Sequence, residues 1–406
     1  MNLDPQAFTG IKVLAVARIV AAPFAAYQLA MHGADVIRIE HPENGDTSRI
    51  SGFPLTPFQK AKMGHNFVAY NSNTRSMTLR IDTPVGQETF RRMAKTADVV
   101  LENLKGGTMA RYGIGYEDLK KINPGIIFCS VTGYGQSGPK KSDPAIDTVI
   151  QATSGMMSIT GTAESGPLKT GSTIVDYATG YAAAFAIVTA LFQRSRTGVG
   201  QSIDVAMLET AITLMGGEVQ RAINDHETPP LVGNASGKGG YVSDTYRCKE
   251  GHLSIAAGAA SRRERLWKAI NGEDIPADPR FVDDATVAKN MKALNGAIEQ
   301  KLAAKTAAEW EQILNKAGVA AMEVRSLASA VRHPQLEYRK FFHRFEDTGD
   351  TGLPPFSVPT APYRLSDGPA KIRSLPPRLG QHTEAVLAEH GFSSEEIAQL
   401  RANGIL

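Results

Sequence analysis

Cysteine is nearly absent: Cys129 and Cys248 are the only two in 406 residues. They lie far apart, so neither a disulfide framework nor a thiolate metal site can be built on them, and such usage suits the reducing cytoplasm. The nine histidines show no His-Glu-x-x-His or paired-ligand spacing, which argues against a metal centre. Neither sign of charge dominates. The 44 basic and 41 acidic residues leave a net charge of +3, too balanced to point to nucleic acid or a membrane surface as partner. No targeting segment stands out either, since no basic stretch is read running into a continuous apolar core at the N-terminus. Long apolar runs are few. The stretch 19–31 is broken by Pro23 and Gln28 and is too short to span a bilayer. The run 174–192 is long enough, but Asp176, Tyr177 and many small residues make it read as a core helix.

What is present is a repeating α/β rhythm. The length predicts two domains. Ile11-Lys-Val-Leu-Ala-Val-Ala17 has the β-branched content of a buried strand, Ala21-Ala-Pro23 opens a helix through Met31, and Gly33 closes it. Ala34–Glu40 is the next strand, so the chain begins with a βαβ unit and a parallel sheet. Further strands are expected at Met77–Ile81, Ala97–Glu102 and Gly125–Val131, with a helix from Thr83-Pro84 to about Lys95. Loops at the carboxyl ends of such strands bind ligands, which makes Val20, His41, Asn103 and Tyr134 candidates. The first turn, Arg18-Ile-Val-Ala-Ala-Pro23, lacks the G-x-G-x-x-G fingerprint, so NAD or FAD chemistry is disfavoured.

The stretch Gly171-Ser-Thr-Ile-Val-Asp-Tyr-Ala-Thr-Gly180 leads into the apolar run, which reads as a helix buried on most of its surface. Asp176 falls in its first turn. Thr173 and Asp176 stand at capping-box spacing, so the carboxylate is either a helix cap or a reactive group. An amphipathic helix follows over Met207 to about Ile223, then a polar linker at Asp225–Pro230. The glycine-dense Gly233-Asn-Ala-Ser-Gly-Lys-Gly-Gly240 reads as a flexible turn or as a mobile loop over a site. The expected division is a large Rossmann-like domain over 1–224, a smaller α+β domain over 233–325, and a Pro-rich linker returning to the large domain over 326–406.

Taken together, these pieces resemble the family III CoA-transferases across essentially the whole chain. The resemblance is carried by Gly10-Ile-Lys-Val-Leu14, Gly33-Ala-Asp-Val-Ile-Arg-Ile-Glu40, Gly45-Asp46 with Arg49, Asn73-Thr-Arg-Ser76 and Asp98-Val-Val-Leu-Glu-Asn103. Tyr112-Gly-Ile-Gly-Tyr116, Thr132-Gly-Tyr-Gly-Gln-Ser-Gly-Pro139, Thr197-Gly-Val-Gly-Gln201 and Gly380-Gln-His-Thr383 follow in order. The resemblance implies that Asp176 is the catalytic nucleophile, kept ionised by the helix dipole. It implies acyl-CoA as donor, a carboxylic acid as acceptor, no permanently bound cofactor, and an interlocked homodimer.

The same resemblance implies CoA contacts from Val20, Ala21, His41, Leu79, Arg80, Asp82, Asn103, Lys105, Arg111, Thr132, Gly133, Tyr134 and Gly135. It makes Gly237, Lys238, Gly239 and Gly240 a loop that closes over Asp176. Gln136 and Lys238 are candidates for meeting a polar acceptor. Departures at Val20, Asn66, Thr74 and Arg80 point away from oxalate and formyl-CoA. The related α-methylacyl-CoA racemases need a histidine in a Gly-His-Asp motif, and here the residues are Ala145-Ile146-Asp147. A non-catalytic acyl-CoA-binding protein is the remaining alternative.

Overall fold

In the computed structural model, residues 6–52, 55–235 and 241–406 are described. The chain divides into two compact units. The first takes in the chain up to Ser154, Gly171–Gly216 and Gln335–Leu406; the second comprises Gly155–Thr170 and Gly217–Pro334. The division thus falls at Gly216 rather than 224, and the return begins at Gln335 rather than 326. Gly155–Thr170 folds into a small antiparallel pair of its own, Gly161–Thr162 with Gly166–Pro167, and meets the rest of the second unit through a bond from Gly233 N to Gly161 O at 2.7 Å.

The first unit runs β1 (Lys12–Val16), α1 (Ala21–Met31), β2 (Asp35–Glu40), β3 (Thr74–Thr78), α2 (Pro84–Ala94), β4 (Val99–Glu102), β5 (Ile127–Thr132), α3 (Asp147–Thr153), α4 (Ile174–Thr197), β6 (Ser202–Ala206) and α5 (Met207–Leu214). Its strands pair in the order β3-β2-β1-β4-β5-β6, and every pairing is parallel. The unbroken apolar run of β1 has a simple cause: both faces of the sheet are covered. Val13 and Ala15 pack under α1 and under Ala183 and Ile187 of α4. Leu14 and Val16 pack with Phe90 and Met93 of α2 and with Val386 and Leu400 from the C-terminal helices. The strand order reverses between β1 and β4, and the crevice at such a reversal is where open parallel sheets bind ligands.

Three expectations need correction. The strand placed at Met77–Ile81 begins earlier, at Thr74, where its parallel ladder with β2 starts, and the C-terminal return takes up the backbone N–H groups on its other edge. His382 Nδ1 accepts from Ser76 N at 3.2 Å and Thr383 Oγ1 accepts from Thr78 N at 3.0 Å. The helix expected over Met207–Ile223 breaks at Met215, just before Gly216 and Gly217, and resumes as Gly216–Asn224. Helix α4 is not buried on most of its surface. It is long and apolar enough to cross a membrane by length and composition alone, yet it lies along the sheet, with Val175, Thr179, Ala183, Ile187 and Ala190 buried. Tyr181, Phe185, Val188 and Phe192 form an exposed apolar stripe on it, Phe185 at 76%.

The second unit is an antiparallel sheet of Ser243–Arg247, His252–Ala256 and Ala320–Glu323. Helices Ala260–Ala269, Asp284–Leu302 and Ala307–Lys316 share its core, which includes Tyr246, Leu253 and Trp310.

Candidate active site

Asp176 is in the first turn of α4, but it does not cap the helix. Thr173 at the N-cap position makes no side-chain cap bond, so the expected capping box is absent. The cap comes from Asp147, the first residue of α3. Its Oδ2 accepts from Val175 N at 2.8 Å and from Asp176 N at 3.2 Å, and its Oδ1 accepts from Gln151 Nε2 at 2.5 Å. Asp147 is buried, and it discharges the orphan donors that every helix start presents. One turn beyond Asp176, Gly180 lets α4 approach α1: a Cβ there would lie 2.6 Å from Ala21 O and 2.9 Å from Phe24 Cδ1.

The electrostatics also differ from expectation. Burial, and after it the Asp147 charge, push the Asp176 carboxyl up to about 7. The helix field therefore does not leave it a fully ionised carboxylate at neutral pH.

Asp176 opens into a cleft of about 520 Å³ at the strand-order reversal. Val20 and Ala21 after β1, Asn103 and Lys105 after β4, and Thr132, Gly133 and Tyr134 after β5 line it. Lys141, Ala145, Ile146 and Met207 complete the wall. His41, Leu79 and Asp82 line a second cleft of about 320 Å³, and Arg18, Leu104 and Lys105 border both. The remaining expected contacts line neither space. Arg80 pairs with Asp82 at 3.0 Å, and Arg111 Nη2 donates to Thr108 Oγ1 at 2.9 Å. Gly135 adopts φ 89°, and its N–H is held by Thr132 Oγ1 at 2.9 Å. Gln136 staples two loops: Oε1 accepts from Gly107 N at 3.1 Å, and its own N–H donates to Asp204 Oδ2 at 2.8 Å. Gly237, Lys238, Gly239 and Gly240 lie outside the described residues.

Sequence reasoning missed Asp147 as a partner of Asp176. Its place as the last residue of Ala145-Ile146-Asp147 was a usable signal, but 29 residues separate the two and only the fold joins them. Lys141 was missed as well, although its place a few residues past the Thr132–Pro139 loop was a usable signal.

The CoA-transferase family III model matches residues 8–383. The chain belongs to this family. It is similar to a succinate–glutarate CoA-transferase of Agrobacterium fabrum, 32% identical over 94% of this chain and 95% of that one. It is also similar to the succinyl-CoA–L-malate CoA-transferase beta subunit of Chloroflexus aurantiacus, 30% identical over 98% of this chain and 97% of the relative. Among solved structures, a CaiB/BaiF family protein from Brucella suis superposes with a TM-score of 0.85 at 32% identity, covering 95% of this chain and 99% of that one. The cleft described above is therefore the candidate active site of a family III CoA-transferase.

Proposed function

We propose that this enzyme moves CoA from an acyl-CoA thioester to a small dicarboxylic or hydroxy acid through covalent intermediates on Asp176. The observation that carries the reading is Asp176 itself, a half-buried carboxyl opening into the cleft at the strand-order reversal. A carboxylate acceptor cannot displace CoA readily by itself, and a protein carboxylate divides the exchange into easier steps. The ionised Asp176 attacks the donor thioester carbon, expelling CoA thiolate and leaving an aspartyl–acyl anhydride. The thiolate attacks the aspartyl carbonyl, forming aspartyl-CoA and releasing the donor acid. The acceptor carboxylate attacks that thioester, giving a second anhydride and CoA thiolate. The thiolate then attacks the acceptor's acyl carbon and frees Asp176.

Ile19, Val20, Ile146 and Met207 give the cleft apolar walls that suit water-sensitive anhydrides. Arg18, Lys105 and Lys141 supply positive charge for CoA phosphates and an acceptor's second carboxylate. The malate and glutarate relatives support that acceptor class. Ile146 offers no proton, so a racemase lacks its second acid–base group.

A homodimer belongs to the same reading, and the exposed stripe along α4 supports it. The two buried, free cysteines suit a cytoplasmic enzyme. Asp176→Asn should abolish transfer while CoA still binds, and hydroxylamine with acyl-CoA should label Asp176 in the wild type. Undiminished turnover of Asp176→Asn overturns the mechanism. A panel of acyl-CoA donors against dicarboxylic and hydroxy acids identifies the pair.

A further inference from the structure

The turn after β1 is held by side chains from elsewhere in the unit. Arg38 Nη2 donates to Ala17 O at 3.1 Å. The Asn103 amide takes both backbone polar groups of Arg18, accepting from its N–H and donating to its carbonyl O, each at 2.8 Å. Ile19 N–H donates to the Asp46 carboxylate, with its oxygens at 3.1 and 3.2 Å, and Ile19 O accepts from the Tyr70 hydroxyl at 2.8 Å. Asp46 and Arg38, each 1% exposed, pair at 2.6 Å; Asn71 Oδ1 steadies the arginine and Ser48 N–H the carboxylate.

Ile19 shows why so much is spent on three residues. Its φ is 68°, a left-handed backbone that a β-branched side chain adopts only when its surroundings impose it. Ile19 lines the Asp176 cleft, and so do Val20 and Ala21, where α1 begins. The buried pair is not needed for packing alone, because apolar residues commonly replace such pairs without loss of stability. What apolar residues cannot do is hold the Ile19 amide.

We propose that Asp46 and Tyr70 are positioning residues for CoA transfer: they fix Ile19 in its left-handed turn and thereby set the wall of the cleft that opens on Asp176. The inference rests on the transferase reading and goes beyond it, since neither residue lines the cleft. Tyr70 is suited to the task. It is 2% exposed, and its ring sits edge-on to Phe24 and Tyr177, which fixes where the hydroxyl points. The Arg38 guanidinium balances the Asp46 charge, so the clamp adds no net charge beside the cleft.

Tyr70→Phe removes one hydrogen bond and keeps the ring. It should speed backbone hydrogen exchange at residues 18–21 and lower kcat about five-fold with little change in KM. Glycine reaches the left-handed region unaided, so in the I19G background the same Tyr70→Phe change should cost less than about two-fold. Asp46→Asn, which leaves Arg38 unpaired, should speed exchange further. Wild-type exchange and kcat in either single variant overturn the inference. So does an equal Tyr70→Phe loss in both backgrounds, which would place its effect on Phe24 and Tyr177 instead. A wild-type protein that transfers CoA from no donor in the panel refutes the functional reading, and the exchange measurement still decides whether Tyr70 holds the turn.

Discussion

A nucleophilic carboxylate works only when ionised, and burial and Asp147 push the Asp176 carboxyl up to about 7. kcat/KM should therefore fall about tenfold per pH unit below 7 and level off above it. Asp147→Asn tests the cause. It removes the neighbouring charge but keeps an oxygen that can accept from Val175 and Asp176 N–H. Burial is the larger cause, so more than half the displacement should survive. The midpoint should drop yet stay above about pH 5.4, half-way between 3.8 and 7. Other groups around the site must be separated from this limb. The phenols of Tyr70 and Tyr177 are raised by burial and stay protonated. Arg18, Lys105 and Lys141 line the cleft as cations, and Asp143 is paired with Lys140 at 2.8 Å. Glu102 is the rival: burial lifts its carboxyl to about 7 against the bonds from Ser130 and Leu104 N–H. If Glu102 sets the limb, Asp147→Asn leaves the midpoint in place and Glu102→Gln moves it. The assay is kcat/KM for CoA transfer from about pH 5 to 9. A wild-type profile that stays flat down to about pH 5, or an upward shift in Asp147→Asn, refutes the reasoning.

Three further outcomes follow from the same geometry. The folded chain binds the Asp176 proton more tightly than the unfolded chain, so that stabilising contribution is full below about pH 3.8 and is lost as pH rises to about 7. Asp176→Asn should then be more stable than wild type at pH 8, by no more than about 4 kcal/mol, and an unchanged or lower melting temperature contradicts this. Gly180→Ala should destabilise by about 1–3 kcal/mol and lower kcat, because its Cβ meets Ala21 O; a gain in stability, the ordinary result of Gly→Ala in a helix, would show that α1 and α4 are free to part. Phe185→Glu should weaken the proposed homodimer in sedimentation, and a wild-type monomer at micromolar concentration refutes that reading of the α4 stripe.

The sheet was legible because β1, β4 and β5 are buried, mostly apolar strands and β2 carries the apolar Val36, Ile37 and Ile39. β3 was read late because Thr74 and Ser76 look like loop residues; the parallel ladder with β2 makes them strand, with Thr74 Oγ1 donating to Asn71 O and Ser76 Oγ bonded to Glu40 and to Gly380 N–H of the C-terminal return. Much of what marked the family turns out to be framework. Asn73 holds φ 64° and its amide ties down Lys371, Arg373 and Ser374, while Arg49 grips Glu40 with two bonds at 2.8 Å. Motif matching therefore identified the chain without separating residues that hold the site from residues that face it. Asn103 shows the limit: expected at CoA, it lines the cleft, yet its amide is engaged with Arg18.

Whether Asp176 was a cap or a nucleophile could not be decided from its own neighbourhood, because both roles want a carboxylate at a helix start. The two roles nevertheless make opposite demands. A cap spends its lone pairs on backbone N–H groups, and those bonds lower its pKa and its basicity. A nucleophile needs its oxygens unspent. Here Asp147 takes the N–H groups of Val175 and Asp176, and among the described residues no hydrogen bond reaches the Asp176 carboxylate oxygens. Under the proposed mechanism the fold divides the two tasks between two carboxylates. It accepts a half-buried, uncompensated acid beside a charged neighbour, an arrangement that costs stability and has no structural use. The proposed chemistry at the cleft gives it one.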